Sequence, residues 1–129
     1  MKETDKSQPA GTPRNEHMHT TDLTALAQEL KGEENWQKTG RGSRTVLKSE
    51  TLRIVLNVMR AGSEIKPHQA PGPISVQVLQ GRIKFITGAG AVELTNGKLL
   101  TLQAHMRHSV EAIEESTFLL TVSPLPSKA

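Results

Sequence analysis

Apolar positions follow two periods along the chain. Leu23, Leu26, Ala27 and Leu30 recur at three- and four-residue intervals, which is one face of a helix. Thr20 or Thr21 can cap its start and Gly32 can end it. The spacing predicts a short helix that packs its leucines, with Trp36, on the outside of the strands beyond it. After Gly40 the period becomes two. Thr45-Val46-Leu47 reads as a short strand and Ser49-Glu50 as a turn. Leu52, Ile54, Leu56 and Val58 then alternate with Arg53, Val55, Asn57 and Met59, a strand with one strongly apolar face.

The stretch from Gly62 to Gly81 organises the remainder. It runs extended to His68, breaks at Pro71-Gly72-Pro73, and continues as a β run from Ile74 to Leu79 before the turn Gln80-Gly81. Pro71 and Pro73 fix φ and restrict the residues before them, so a stiff, tight bend is expected. Further strands are expected at Ile83 to Thr87, Ala91 to Thr95, Leu99 to Leu102, His108 to Ala112 and Thr117 to Val122. Asn96-Gly97 between apolar runs is a strong hairpin signal. Pro124 and Pro126 end strand pairing. Many short strands after one helix imply an all-β domain, either a small barrel or a double-sheet jelly roll.

At 129 residues the chain has room for one core. Residues 1–20 are polar, carry Pro9, Gly11 and Pro13, and show no period, so a disordered tail is expected. The expected division is therefore tail 1–20, helix and connection 21–39, barrel 40–123 and C-terminal tail 124–129. In the tail His17 and His19 offer two imidazoles without a third ligand. The absence of cysteine excludes disulfides and thiolate metal sites. No apolar run reaches the length of a membrane span and no secretory segment follows Met1, so a soluble, cytoplasmic protein with no membrane partner is expected.

The net charge of +3 raises a nucleic-acid reading. The basic excess lies in Lys38, Arg41, Arg44, Lys48, Arg53 and Arg60, against Glu50. Base stacking needs aromatic platforms, and the chain has only Trp36, Phe85 and Phe118. The excess is read as a solvated strand face, with no nucleic-acid partner. Neither a phosphate cradle nor a nucleophile-elbow serine is present.

Two spaced motifs carry a family resemblance. The first is Gly62, five residues, His68, then Ala70, Ile74 and Gly81. The second is Gly97, then Gln103, His105, His108 and Ala112. In this spacing, from about Thr45 to Val122, the chain resembles the cupin superfamily, small jelly-roll barrels with a pocket at one end. The phrases VLQG and HSVEA also look like cupin strands. The resemblance implies a cupin-type jelly-roll β-barrel with a short N-terminal helix. In metal cupins the first motif supplies two histidines and a glutamate and the second a histidine. Only His68 and His108 survive here; Ala70 and Ile74 hold the other two positions. Two neutral imidazoles fall short of a catalytic metal site, which takes three protein ligands and an open position.

The expected function is a small cupin domain binding a small molecule in the barrel, with no cofactor. The pocket would be lined by His68, Ala70, Ile74, Val76, Val78, Leu102 and His108. The alternative is a metal-dependent enzyme, dioxygenase- or isomerase-like. There His105, at the motif's glycine position, would join His68 and His108 around Zn, Ni, Fe or Mn. Glu64 and Glu111 lie near the motifs, whereas Gln77 falls on the opposite face from Val76 and Val78. A homodimer is expected from the family tendency and from the apolar 51–59 strand, read as an edge in need of cover.

Overall fold

The computed structural model describes residues 17–123. The expected tail therefore lies outside the described residues as far as residue 16, as does all of 124–129. Helix α1 spans Leu23–Lys31. Its cap is Asp22 rather than Thr20 or Thr21: an Asp22 carboxylate oxygen accepts the Ala25 N–H at 3.0 Å. A carboxylate at this position satisfies one of the orphan donors of the first turn. A second helix, α2 (Glu34–Thr39), occupies the expected connection. Six residues are too few to show a period, which hides α2 from a pattern search.

Nine strands complete the described chain: β1 (Arg41–Lys48), β2 (Arg53–Met59), β3 (Glu64–His68), β4 (Ile74–Gln80), β5 (Arg82–Thr87), β6 (Gly90–Thr95), β7 (Leu99–Leu102), β8 (His108–Ala112) and β9 (Ser116–Val122). All pairs are antiparallel. One sheet has the order β1-β2-β9-β4-β7 and the other β3-β8-β5-β6. The two sheets face each other without joining into one closed barrel, so the domain is a jelly-roll sandwich.

Three expectations for the early strands are corrected. β1 begins at Arg41, not Thr45, and carries an irregularity between Thr45 and Leu47. β2 is no edge: it lies between β1 and β9, and the free edges are β1, β7, β3 and β6. The edge argument for pairing two chains therefore passes to β1. Nor does β2 have a single apolar face. Leu56 and Val58 are buried under the helices with Leu26, Ala27, Leu30 and Trp36. Met59, of opposite parity, joins Ile74, Val76, Val78, Ile83, Phe85 and Phe118 between the sheets. The helices thus cover the outer face of the larger sheet, as their leucine spacing predicts. Ion pairs from Lys31 to Glu115 (2.7 Å) and from Arg44 to Glu29 (3.0 Å) flank this contact. Such partly exposed pairs add at most about 1 kcal/mol each, so the apolar cluster dominates.

The chain passes from the larger sheet to the smaller at Gly81, the single residue between β4 and β5. Its φ is 101°. A Cβ there would collide with Ser116 and the Glu115 carbonyl. The buried Ser116 hydroxyl accepts the Arg82 N–H at 2.9 Å and lies 2.7 Å from the Glu114 carbonyl oxygen. The Asn96 side chain accepts the Gly81 N–H at 2.8 Å. Three connections are locked together at this end. Gly81→Ala combines a forbidden φ with a backbone collision, and should cost ~3 kcal/mol or more. Chemical denaturation of both proteins checks this; a loss below 1 kcal/mol (roughly the ordinary cost of a surface change) contradicts it.

Candidate functional site

The opposite end of the sandwich is formed by two loops, 69–73 and 103–107, which carry the chain between sheets. They meet where the His105 N–H donates to the Ala70 carbonyl at 2.8 Å. β3 and β8 enter from these loops, and His68 is the ladder partner of His108. Directly opposed residues share a face, and the rings lie 4.3 Å apart, centroid to centroid, edge to face. His108 also stacks on Phe85 at 5.1 Å. It is 5% exposed, whereas His68 is open to solvent.

Both imidazoles are held the same way. Nδ1 of His68 lies 3.0 Å from the Lys66 carbonyl oxygen, and Nδ1 of His108 lies 2.9 Å from that of Met106. A carbonyl only accepts, so each neutral ring carries its proton on Nδ1 and presents Nε2 as a free lone pair. Burial holds the His108 pKa below the ordinary 6.5; neighbouring His68 lowers it further, and the Met106 carbonyl opposes both.

The remaining candidate residues sit at different depths. Ala70 and Leu102 are partly buried against the interior cluster, and Ile74 is 5% exposed. Val76 and Val78 are sealed in the core beneath. An open depression of about 530 Å³ at this end touches Ile74 and Leu102 but lies toward the outer face of the larger sheet, where Ser75, Thr101 and Thr121 line it, and neither His68 nor His108 borders it. His105 is exposed. Among the described residues no three His, Cys, Asp or Glu side chains come together as a metal-ligating group. Glu64 is the ladder partner of Glu111, on the parity opposite to Ile65 and Val110, which pack inward.

The motif positions have a common backbone signature. Gly62, Gly81 and Gly97 have φ of 88°, 101° and 84°. His105 has φ of 66°, and among the described residues it is the one non-glycine in this region. A histidine therefore stands in a turn that favours glycine.

No family model matches the sequence, and no curated protein matches it. Solved structures do. An RmlC-like cupin from Desulfovibrio desulfuricans is 25% identical, with a TM-score of 0.62, covering 68% of this chain and 86% of that one. A cupin superfamily protein from Desulfitobacterium hafniense is 19% identical, with a TM-score of 0.67, covering 76% and 86%. This is a small domain of the cupin superfamily. Salicylate 1,2-dioxygenase from Pseudoaminobacter salicylatoxidans gives a TM-score of 0.70 at 15% identity; the match covers 78% of this chain and 33% of that one. At that identity the likeness is one of fold.

In this cupin domain the residues present do not fit a catalytic metal. His68 and His108 offer two Nε2 lone pairs, while Ala70 and Ile74 offer no donor. One inward group was missed in the sequence, where Arg53 was placed on a solvated face. Arg53 is the ladder partner of Val122, and Val122 of Ile74. Val122 and Ile74 pack in the interior, so Arg53 shares the inner face. The available signal was Val55 and Met59, apolar residues of the same parity as Arg53.

Two outcomes are expected from this geometry. Replacing His105 with Gly relieves a left-handed residue and should add up to about 1 kcal/mol of stability, while His105→Val should remove at least that; denaturant midpoints report both. His108 has a lowered folded-state pKa. The unfolded chain therefore binds a proton that the folded chain resists, and stability falls as pH drops through 6.5. Melting curves between pH 7 and pH 5 should fall less steeply for His108→Leu than for the parent; equal slopes contradict the assignment.

Proposed function

We propose that the domain binds a small molecule at the His68–His108 end of the sandwich, without a complete metal site. The observation that carries this is the pair of rings, 4.3 Å apart and each tethered through Nδ1, at the end of the sandwich where Ile74, Ala70 and Leu102 pack against the interior cluster. Ligand sites usually combine apolar walls with a few fixed polar groups. The Nε2 atoms would accept hydrogen bonds from ligand N–H or O–H groups. Loop 69–73, stiffened by Pro71 and Pro73, forms the rim. Metal-dependent chemistry, which the motif spacing suggests, is the alternative, but that reading needs a third ligand beyond His68 and His108.

Restoring the missing donors tests the loss of the metal site. Ala70→His with Ile74→Glu would supply three histidines and one carboxylate at the family spacing. Without metal, a carboxylate among apolar side chains should destabilise by several kcal/mol (roughly the burial cost of an unpaired polar group). With Zn²⁺, Ni²⁺ or Mn²⁺ at a hundredfold excess over Kd the double variant should regain about 2.7 kcal/mol. The parent should gain little. Thermal melts with and without metal decide. A parent that takes up one metal per chain tightly overturns the proposal, and a folded double variant indifferent to metal overturns the motif register.

A further inference from the structure

Pairing aligns one row of residues across the inner face of the larger sheet at the histidine end. Lys48 on β1 faces Arg53 on β2, Arg53 faces Val122 on β9, Val122 faces Ile74 on β4, and Ile74 faces Leu102 on β7. Val122, Ile74 and Leu102 all pack against the interior cluster, which fixes the face. Two cations thus stand side by side at one end of an apolar row. Like charges directly opposed in a ladder are destabilising. Among the described residues neither has a carboxylate within ion-pair distance. The Arg53 Nε is buried with no hydrogen-bond partner, the one such side-chain atom among the described residues.

This end of β2 is also the end where His68 lies. The chain turns back at Ala61-Gly62, so β3 runs opposite to β2. Ile65, early in β3, lines a cleft of about 150 Å³ with Asn57 and Met59, late in β2. His68, at the far end of β3, therefore lies toward Arg53. Ile74 occupies the position where the metal cupins' glutamate would stand, two strands from Arg53, or about 10 Å at ordinary strand spacing. The row holds an arginine and no acid. A buried guanidinium N–H without a partner carries the desolvation cost of that group, and a bound carboxylate would remove it.

We propose that Arg53 is the anion-recognising residue of the pocket, and that the ligand is a small carboxylate with an apolar body. Its carboxylate takes the terminal N–H groups of Arg53 as a bidentate pair, and the buried Nε joins them once the side chain turns toward the ligand. Its body lies along Val122, Ile74 and Leu102 toward the histidine rings. Lys48, at the open edge, adds attraction without geometric specificity. This rests on the small-molecule reading above and names the ligand class.

The test uses the full chain and two probes of equal shape, benzoate and the neutral benzamide. The Arg53 Nε–H resonance should shift saturably with benzoate and little with benzamide, and benzoate should bind at least tenfold more tightly. Arg53→Gln should abolish that preference, and Arg53→Lys should retain part of it. Arg53→Met, which removes the unpaired group, should melt higher than the parent without ligand, which shows that the substitutions do not act by unfolding. Equal binding of both probes at the histidine end, unchanged in Arg53→Gln, overturns the role of Arg53 and leaves the small-molecule pocket standing. No saturable shift at Arg53 or at the histidines with either probe overturns both.

Discussion

The domain depends on how its two sheets are pinned at one end. Gly81 passes the chain from β4 to β5, and the 113–115 turn returns it from β8 to β9. These reversals sit so close that no side chain fits at Gly81. The Ser116 hydroxyl and the Asn96 side chain fill the remaining hydrogen-bonding positions. A further crossover, from β2 to β3, is tied to the same end of β8, where the Ala112 carbonyl accepts the Gly62 N–H at 2.8 Å. Backbone contacts at one end therefore fix the gap between the sheets. The interior side chains fill that gap outward from Val78, Ile83 and Phe118. What is left at the far end is a mouth spanned by two loops, and that is where the histidines are.

The mouth is held by fewer constraints. A backbone hydrogen bond from His105 to Ala70 joins the loops, and prolines stiffen one of them. Each histidine ring is steered by the carbonyl two residues before it. The same local device serves both, because each residue opens or ends a strand where the preceding carbonyls turn toward the ring. Orientation of the imidazoles is thus built into the strand ends and needs no carboxylate partner. His108 differs from His68 in depth: burial, with Phe85 stacked on its ring and His68 meeting it edge to face, disfavours its charged form. The pair consists of one shielded ring and one open ring, both offering Nε2 when neutral.

Turn chemistry made much of this fold legible. Gly62, Gly81 and Gly97 stand where φ must be positive, and such positions leave a mark in the sequence because few residues tolerate them. The helix on the outer face was equally legible from Leu23, Leu26, Ala27 and Leu30. Other features left no mark. α2 has one buried anchor, Trp36, and no period. The faces of β2 were misread because a strand buried on both sides loses its alternation. Leu56 and Val58 serve the helices while Val55 and Met59 turn inward, so Arg53 looked like part of a solvated face. Register with β9, a contact more than sixty residues away, is what reverses that reading. His68 and His108 could be named from spacing, but their mutual contact and tethering depend on the β3–β8 ladder.

Changes at three positions act together on the charge of the mouth. A metal cupin balances a cation with one carboxylate and several imidazoles. Here Ile74 and Ala70 remove an anion and a donor, while Arg53 holds a fixed cation on the same inner row. A metal ion would meet repulsion from that guanidinium, only weakly screened in a partly buried site. The same field favours an anion. An arginine with an unpaired buried nitrogen is costly to the fold, and the outer face of β2 shows that this sheet can bury apolar residues without such a cost. The balance of charge on this row therefore runs against a metal ion held by a single added ligand.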